Sequence, residues 1–576
     1  MSSRHRGVLA LALCTAATSP CLAQQSLPIK RAPTPTTAAI TTADLSSRIY
    51  QFADDSMRGR MAGSPEALKG TDYIAGELKR LGLRPGGDNG TFFQDVPFGV
   101  QVLDSSSTLV VGDHTLKAGV DFLANAPLGY EGPPGALPVM YGGVALDTTN
   151  IPTVEQTSGK LVLLRPLMSQ PRDVAAFVAS AGYKAYVAAM RAAAAVGVIA
   201  GQQIPPAVAR AAFTPPSFVQ LVPEERPGTG LTITVTESAA DALLGTAVAS
   251  AAKNAVGDTV RVQVRFAMTR RPGRNVVAVL PGRDAKLQGE YVAIGAHSDH
   301  VGVRAGPPVD HDSLRAYNTV ARPQGADGRP RQPTADEWVA IRAAIDSLHT
   351  AHGGARLDSI NNGADDDGSG SMGVLEIAEA FAGAKQHPRR SLLFVWHMGE
   401  EEGMLGSRWY TDHPTVPRDS IVAQLNVDMI GRGMSSDVTG SSKDGALLHG
   451  RDEGYVQLIG SRRLSTELGD LVEDVNAKTK APLTLDYALD ADGHPQNIYC
   501  RSDHYMYARY GIPIVFFTTG GHRDYHQVTD EPEYLSFDQY RRVTQLIHDV
   551  AERVADLDHR PLVDKPKPDP KAACKQ

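Results

Sequence analysis

A chain of 576 residues is longer than a single hydrophobic core usually grows, so two domains, or one domain carrying a large insertion, are expected. Its 57 basic and 64 acidic residues leave a formal net charge of -7, and neither sign gathers into a long run. That balance argues against nucleic-acid binding and against a polybasic membrane surface.

In chain order, Arg4 and Arg6 precede an apolar stretch over residues 8–17 and the sequence Cys21-Leu22-Ala23. This reads as a signal peptide over residues 1–23, since the apolar run is well short of the roughly 20 residues that span a bilayer. A secreted or periplasmic protein with no stable membrane association follows. Leu13 and Pro20 are poor residues to precede a lipidated cysteine, which disfavours a lipoprotein anchor at Cys14 or Cys21. Only Cys500 and Cys574 would remain after cleavage, so no disulfide framework is expected. Without CxxC spacing, any metal falls to His and carboxylate ligands.

Residues 24–42 form a linker rich in Pro and Thr. Residues 43–114 open with helical spacing, as in Ala67, Ile74, Leu78 and Leu81. Over residues 115–266 the texture changes to a strand at Lys160-Leu161-Val162-Leu163-Leu164, an Ala-rich helix up to Ala195 and a strand at residues 196–200. These suggest a smaller inserted α/β or β-rich module, without a catalytic cluster. From 267 to 558, apolar strands at residues 275–280, 291–294, 392–396, 421–425 and 512–517 alternate with helices. The expected class is α/β, with a mixed, largely parallel central sheet and helices on both faces. Residues 304–359, rich in Pro, Gly and charge with a helical piece near residues 338–348, are too long for an ordinary connection. An insertion at the mouth of a site and a passive surface excursion both remain open. A closing helix carries the stripe Phe537, Tyr540, Val543, Ile547, Val550 and Val554, with Ser536 and Gln539 as a capping box. The Lys/Pro-rich tail, residues 559–576, is expected to be disordered.

Acidic and histidine residues recur just beyond the strands' C-terminal ends: His297 and Asp299, the run Glu400-Glu401-Glu402, Asp428, and Tyr525-His526. Open α/β sheets build sites in that crevice. The glycine-flanked loop Asp365-Asp366-Asp367 opens a helix near Ser369; adjacent carboxylates repel unless water or a cation relieves them, although a helix N-terminus also tolerates acid. His and carboxylate ligands without thiolates suit hydrolytic zinc, and manganese or cobalt could occupy similar sites. In Glu400-Glu401, neighbouring side chains diverge, so one can face a metal while the other moves a proton.

The ordered set AHSDH (296–300), NGADDDGSG (362–370), GEEEGMLGS (399–407), LNVDMIG (425–431), RSDHYMY (501–507) and DYHQVTD (524–530) resembles the M28 family of metallopeptidases over residues 43–114 and 274–554. Gly59-Arg60 with Ala62-Gly63-Ser64 is similar to that family's entry segment. The resemblance implies a di-zinc aminopeptidase acting on peptide substrates. His297 and Asp428 would hold one Zn2+, Glu401 and His526 the second, and Asp366 would bridge them. Glu400 would be the general base, Asp299 would orient the histidine ligand, and Tyr525 would donate to the oxyanion. Arg501 and Asp503 would line the substrate pocket, with a structural ion pair the competing role. Residues 115–266 resemble a protease-associated domain, inserted between the N-terminal residues 43–114 and a catalytic body of residues 267–558. The long 304–359 segment and His397, just before the glutamate run, depart from the family pattern and bear on substrate preference. Alternatives are a carboxypeptidase or dipeptidase of the same family, a glutaminyl cyclase with one zinc, or a non-catalytic receptor-like protein. Oligomeric state is not legible.

Overall fold

Two helices open the fold, and both begin where a hydroxyl can satisfy a free backbone N–H. The computed structural model describes residues 30–126, 130, 135–167, 177, 180–200, 219–222 and 230–576, so the signal-peptide segment lies outside the described residues. Helix α1 (Thr42–Phe52) is capped by Thr41, and α2 (Pro65–Arg80) by Ser64 with Pro65 pre-setting the first turn. Leu45, Ile49, Phe52, Ile74 and Leu78 form their inner stripes and are fully buried against the main sheet.

That sheet contains β1 (Arg274–Leu280), β2 (Tyr291–His297), β3 (Ser391–His397), β4 (Ile421–Val427), β5 (Tyr455–Ile459), β6 (Thr484–Asp486) and β7 (Ile514–Thr518). Their order is β1-β3-β2-β4-β7-β5-β6, and two short segments, Arg84–Pro85 and Phe93–Asp95, pair with the outer side of β1. Strands β3, β2, β4 and β7 run parallel, while β1 and β5 pair antiparallel to their neighbours β3 and β7. The α/β class with a largely parallel sheet is therefore the observed one. Four parallel strands also present their C-terminal ends along one edge, where the site lies.

Both faces are covered, which explains why the strands are apolar throughout rather than alternating. Val276, Ala278, Val292 and Ile294 pack on one side with α1, α2, the helix Gly370–Ala382 and the helix Phe537–Ala555. Val277, Val279, Ala293 and Leu393 pack on the other. The helix Phe537–Ala555 carries the expected stripe, but Ser536 makes no side-chain cap bond. Gln539 instead spends its amide on Tyr455 of β5, accepting from its N–H at 3.2 Å and donating to its carbonyl. A tertiary partner wins over the local cap because the amide is buried where β5 offers both groups.

An eight-stranded sheet is built between Thr108 and Gln263, with a core of its own around Leu109, Val139, Leu163, Ile233 and Val260. It contains the strand Leu161–Arg165, the strand Ala195–Ala200 and, beside them, the helix Ala181–Ala192.

The expectation of a disordered tail is overturned. Leu562 N donates to Glu467 at 2.7 Å, Cys574 forms a disulfide with Cys500 across 74 residues, and the Gln576 amide donates to the carbonyls of Leu489 and Ala491. Composition alone suggested disorder, whereas a crosslink and specific polar partners supply the ordering that apolar burial does not. Replacing Cys574 with Ser is expected to lower stability by about 2–4 kcal/mol, as for loss of a long-loop crosslink. Calorimetry would check it, and an unchanged melting temperature would count against a structural role for the bond. Among the described residues no helix is long and apolar enough to cross a membrane.

Candidate metal centre

The loop after β2, the glutamate run after β3, the residue after β4 and the loop beyond β7 converge on one spot. Two groups of side chains have ligand atoms mutually close enough to hold an ion: His297, Asp366 and Asp428, and His300, Asp366, Glu401 and His526. Asp366 belongs to both.

Individual distances agree with such a use. His297 Nε2 is 3.2 Å from Asp366 Oδ1 and 3.7 Å from Asp428 Oδ1. His526 Nε2 is 2.9 Å from Asp366 Oδ2 and 3.0 Å from Glu401 Oε2. These separations bracket the edge of ~3.3 Å implied by a tetrahedral ion with bonds of ~2.0–2.1 Å. The buried Asp366 Oδ2 and His526 Nε2 have no aligned hydrogen-bond partner, as expected of two atoms aimed at a common cation. The residues present therefore fit two metal ions sharing Asp366.

Three consecutive aspartates coexist because they point apart. Asp365 accepts from Ser369 and from Gly431 N at 2.7 Å. Asp367 accepts from His297 N at 3.0 Å, Met429 N at 3.1 Å and Gly370 N at 2.9 Å, tying β2, β4 and the following helix together. The peptide bond joining Asp366 to Asp367 is cis. Asp530 accepts from the amides of Asp365 and Asp366, each at 3.1 Å, and so holds the loop that carries Asp366.

Burial works to raise the Asp366 carboxyl, yet the adjacent imidazoles of His297 and His526 hold it well below the ordinary range. Glu400 behaves oppositely. Burial, reinforced by the Glu401, Asp428 and Asp503 charges, pushes it well above the usual carboxylate value. Its carboxylate belongs to neither ligand group, stands 4.0 Å from His297 Nε2 and faces the cavity. Asp299 accepts from Glu400 N at 3.2 Å and lies behind His297, whose Nδ1 is 3.2 Å from the Asp299 carbonyl and 3.8 Å from its carboxylate. Burial raises the Asp299 carboxyl to about 6.

Tyr525 stacks on His526 at 4.0 Å and reaches the cavity. Arg501 does too, but Asp503 does not, and its expected place in the pocket wall is corrected. Its side chain is fully buried, 3.2 Å from His397 Nδ1, and His397 Nε2 meets the Tyr507 hydroxyl at 3.0 Å. A carboxylate so deep needs a polar neighbour, and the imidazole that stands beside it is that of His397, the histidine that departs from the family pattern. Ser502, between Arg501 and Asp503, donates to Asp428 at 2.7 Å.

One contributor was missed, and one segment left open between two readings lies beside the site. His300, one residue past Asp299 in the AHSDH run, brings Nδ1 to 2.8 Å from Glu401 Oε1; the signal was in the motif, but a second histidine one residue beyond Asp299 has no assignable direction until the backbone turns. Residues 304–359 also reach the site. They fold as the helices His311–Ala321 and Ala335–His352, closed by the ribbon Val309–Asp310 with Leu357–Asp358. Gln324 and Asp327 line a cavity of about 390 Å3 together with His297, Glu400, Asp428 and His526. A third acidic and histidine grouping, Asp310, Asp312 and His349, lies within the same segment. Its carboxylates are already engaged by Ser313, Arg356 and His352, so it braces the segment.

Apolar side chains of Met404, Met429, Leu489, Ile498 and Phe516 line the rest of the cavity. Among its described lining residues, Arg501 is the one guanidinium, and there is no lysine.

Comparison with known proteins finds partial similarities. Residues 318–551 match the model described as peptidase family M28, a span that includes Asp366, Glu400, Glu401, Asp428 and His526 but not His297. Leupeptin-inactivating enzyme 1 of Streptomyces exfoliatus is 43% identical over 81 residues, covering 14% of this chain and 18% of that protein. Leucine aminopeptidase 1 of Coccidioides posadasii is 30% identical over 214 residues, covering 33% and 49%. The chain thus spans about half or less of the length of these curated relatives. Among solved structures, a zinc aminopeptidase from Bacillus subtilis matches over 90% of this chain and 96% of its own, with 16% identity and a TM-score of 0.47.

Proposed function

We propose that this chain, whose residues 318–551 match the peptidase family M28 model, is a secreted two-zinc exopeptidase that hydrolyses the N-terminal peptide bond of peptides. The observation that carries the proposal is the pair of ligand groups sharing Asp366, with Glu400 outside both and open to the cavity.

In this proposal His297 and Asp428 would hold one zinc and Glu401 and His526 the other, with Asp366 common to both groups. His300 holds the Glu401 carboxylate. When bound, the zinc pair polarises the scissile carbonyl and acidifies water. Glu400, whose buried carboxyl binds protons more tightly than a free one, takes a proton from water and delivers it to the leaving amine. Asp299 fixes the Glu400 backbone and backs the His297 ring, so base and ligand are aligned by one residue. Tyr525, which lines the cavity, has in this proposal the role of donor to the oxygen that gains charge.

An amino-terminal substrate is favoured over a carboxyl-terminal one by the cavity's charges. The cavity's lone guanidinium, Arg501, is already paired with Asp327 and is not free to receive a terminal carboxylate. The apolar wall suits an aliphatic first side chain. The Cys500–Cys574 bond supports an oxidising compartment, in keeping with export.

The test is a panel of free-amine, N-blocked and C-blocked peptides, assayed with and without a chelator, alongside metal analysis. Free-amine and C-blocked peptides should be cleaved, N-blocked ones spared, and chelation should abolish turnover, with two zinc ions per chain in the active form. Cleavage of N-blocked but not C-blocked peptides would make the protein a carboxypeptidase. One tightly held zinc per chain, with cyclisation of N-terminal glutamine, would make it a cyclase.

A further inference from the structure

The segment 304–359 is keyed to the metal-site loop. Ala326 N donates to the Tyr525 carbonyl at 3.0 Å, and the Asn318 amide donates to the Arg523 carbonyl at 3.4 Å. Gly325 adopts a φ of +53°, and a Cβ there would stand 2.6 Å from the Tyr525 carbonyl oxygen, so only glycine permits the approach. On its far side the Gln324 amide donates to Ser441 at 3.2 Å. A turn anchored on both flanks therefore carries Asp327 into the cavity wall.

There Asp327 meets Arg501 through two bonds, Nη2 to Oδ1 at 2.9 Å and Nη1 to Oδ2 at 3.2 Å. Such a fork engages both carboxylate oxygens and two of the guanidinium's five N–H donors, and it compensates the guanidinium's charge. The pair is only partly exposed, with side chains 39% and 28% accessible. Arg501 is also tied to the centre through the chain, because the next residue, Ser502, donates to Asp428.

We propose that Asp327 is a specificity-determining residue: by holding Arg501 in a two-bond ion pair it withholds the cavity's guanidinium from substrate carboxylates. The site then takes peptides with an uncharged group beyond the scissile bond as readily as those carrying a free carboxylate there. This rests on the peptidase function proposed above. Without Asp327, Arg501 would face the cavity as an uncompensated cation and would favour short peptides whose terminal carboxylate reaches it. The long insertion thereby gains a role: it supplies the counter-charge that keeps the enzyme indifferent to the peptide's far end.

The experiment compares leucyl-glycine with leucyl-glycinamide on the zinc-loaded full chain, in the wild type, Asp327→Ala, Asp327→Asn and the double variant Asp327→Ala/Arg501→Ala. The kcat/KM ratio of acid to amide should be near one in the wild type. It should rise at least about fivefold in Asp327→Ala, as a charge-assisted hydrogen bond becomes available, and return toward one in the double variant. Asp327→Asn, which keeps the shape and removes the charge, should rise as well. A ratio unchanged within twofold in both single variants, or a rise that survives loss of Arg501, would overturn the proposal. If the wild type hydrolyses neither compound with both metals bound, the peptidase function falls separately. Calorimetric affinities of the same two compounds then decide the matter, with equal changes for acid and amide rejecting a role for Asp327.

Discussion

Replacing Glu400 with Gln is expected to leave two zinc ions in place and to lower kcat by about 10²–10⁴, the usual contribution of a positioned general base. The expectation follows from geometry: Glu400 lies in neither ligand group, while its neighbour Glu401 is within 3.0 Å of His526 Nε2 and 2.8 Å of His300 Nδ1. The isosteric amide keeps the backbone bond to Asp299 and removes only the carboxylate that accepts a proton. Glu401→Gln should differ in kind, losing one metal together with activity. Metal analysis beside steady-state kinetics separates the two, and full turnover in Glu400→Gln with both metals bound would exclude Glu400 as the base.

Arg60→Leu should cost about 3–5 kcal/mol of stability, the range for stripping partners from a buried charged network. The Arg60 side chain is fully buried, and its guanidinium donates to four carbonyls: Ser298 at 3.1 Å, Phe52 at 3.1 Å, Asn362 at 2.7 Å and Gly363 at 2.9 Å. Three of them, Ser298, Asn362 and Gly363, lie on the loops that carry His297 and Asp366, and Phe52 ends α1. Burial pulls its pKa down to about 10, against the opposing pull of Asp299, Asp366, Asp367 and Asp530, so the group is still charged at neutral pH. Leucine would leave the carbonyls without donors and the carboxylates without a nearby cation. Arg60→Lys should rescue only part of the loss, because one ammonium cannot span four acceptors. The melting temperatures of the metal-loaded proteins test this, and a leucine variant as stable as the wild type would refute it.

Much of the centre was legible because strand periodicity and strand ends are local properties. Unbroken apolar runs at residues 275–280, 291–294, 392–396 and 421–425 mark strands buried on both faces, and a site residue following such a run must emerge at the sheet's edge. His297, the run Glu400-Glu401-Glu402, Asp428 and His526 could be placed in that way, whereas Asp366 stands on an acidic loop that opens a helix and the choice of Glu401 as ligand came from the family resemblance. The structure brings His297, Asp366, Glu401, Asp428 and His526 together.

Side-chain direction was not legible where neighbours in sequence diverge in space. Arg501 and Asp503 are two residues apart, yet one faces the cavity and the other is sealed against His397. Gln539 sits correctly for a capping box and is taken by β5. The tail has a disorder-prone composition and is fastened by a crosslink to Cys500, and the Gly325 turn reads as a surface loop until it is seen against Tyr525. Composition, hydrophobic period and the places where chemistry-bearing residues leave the sheet are thus set by the sequence over short windows. Which of them face one another, which charges are neutralised and which segment closes the cavity depend on contacts between residues far apart in the chain, and only the tertiary structure decides those.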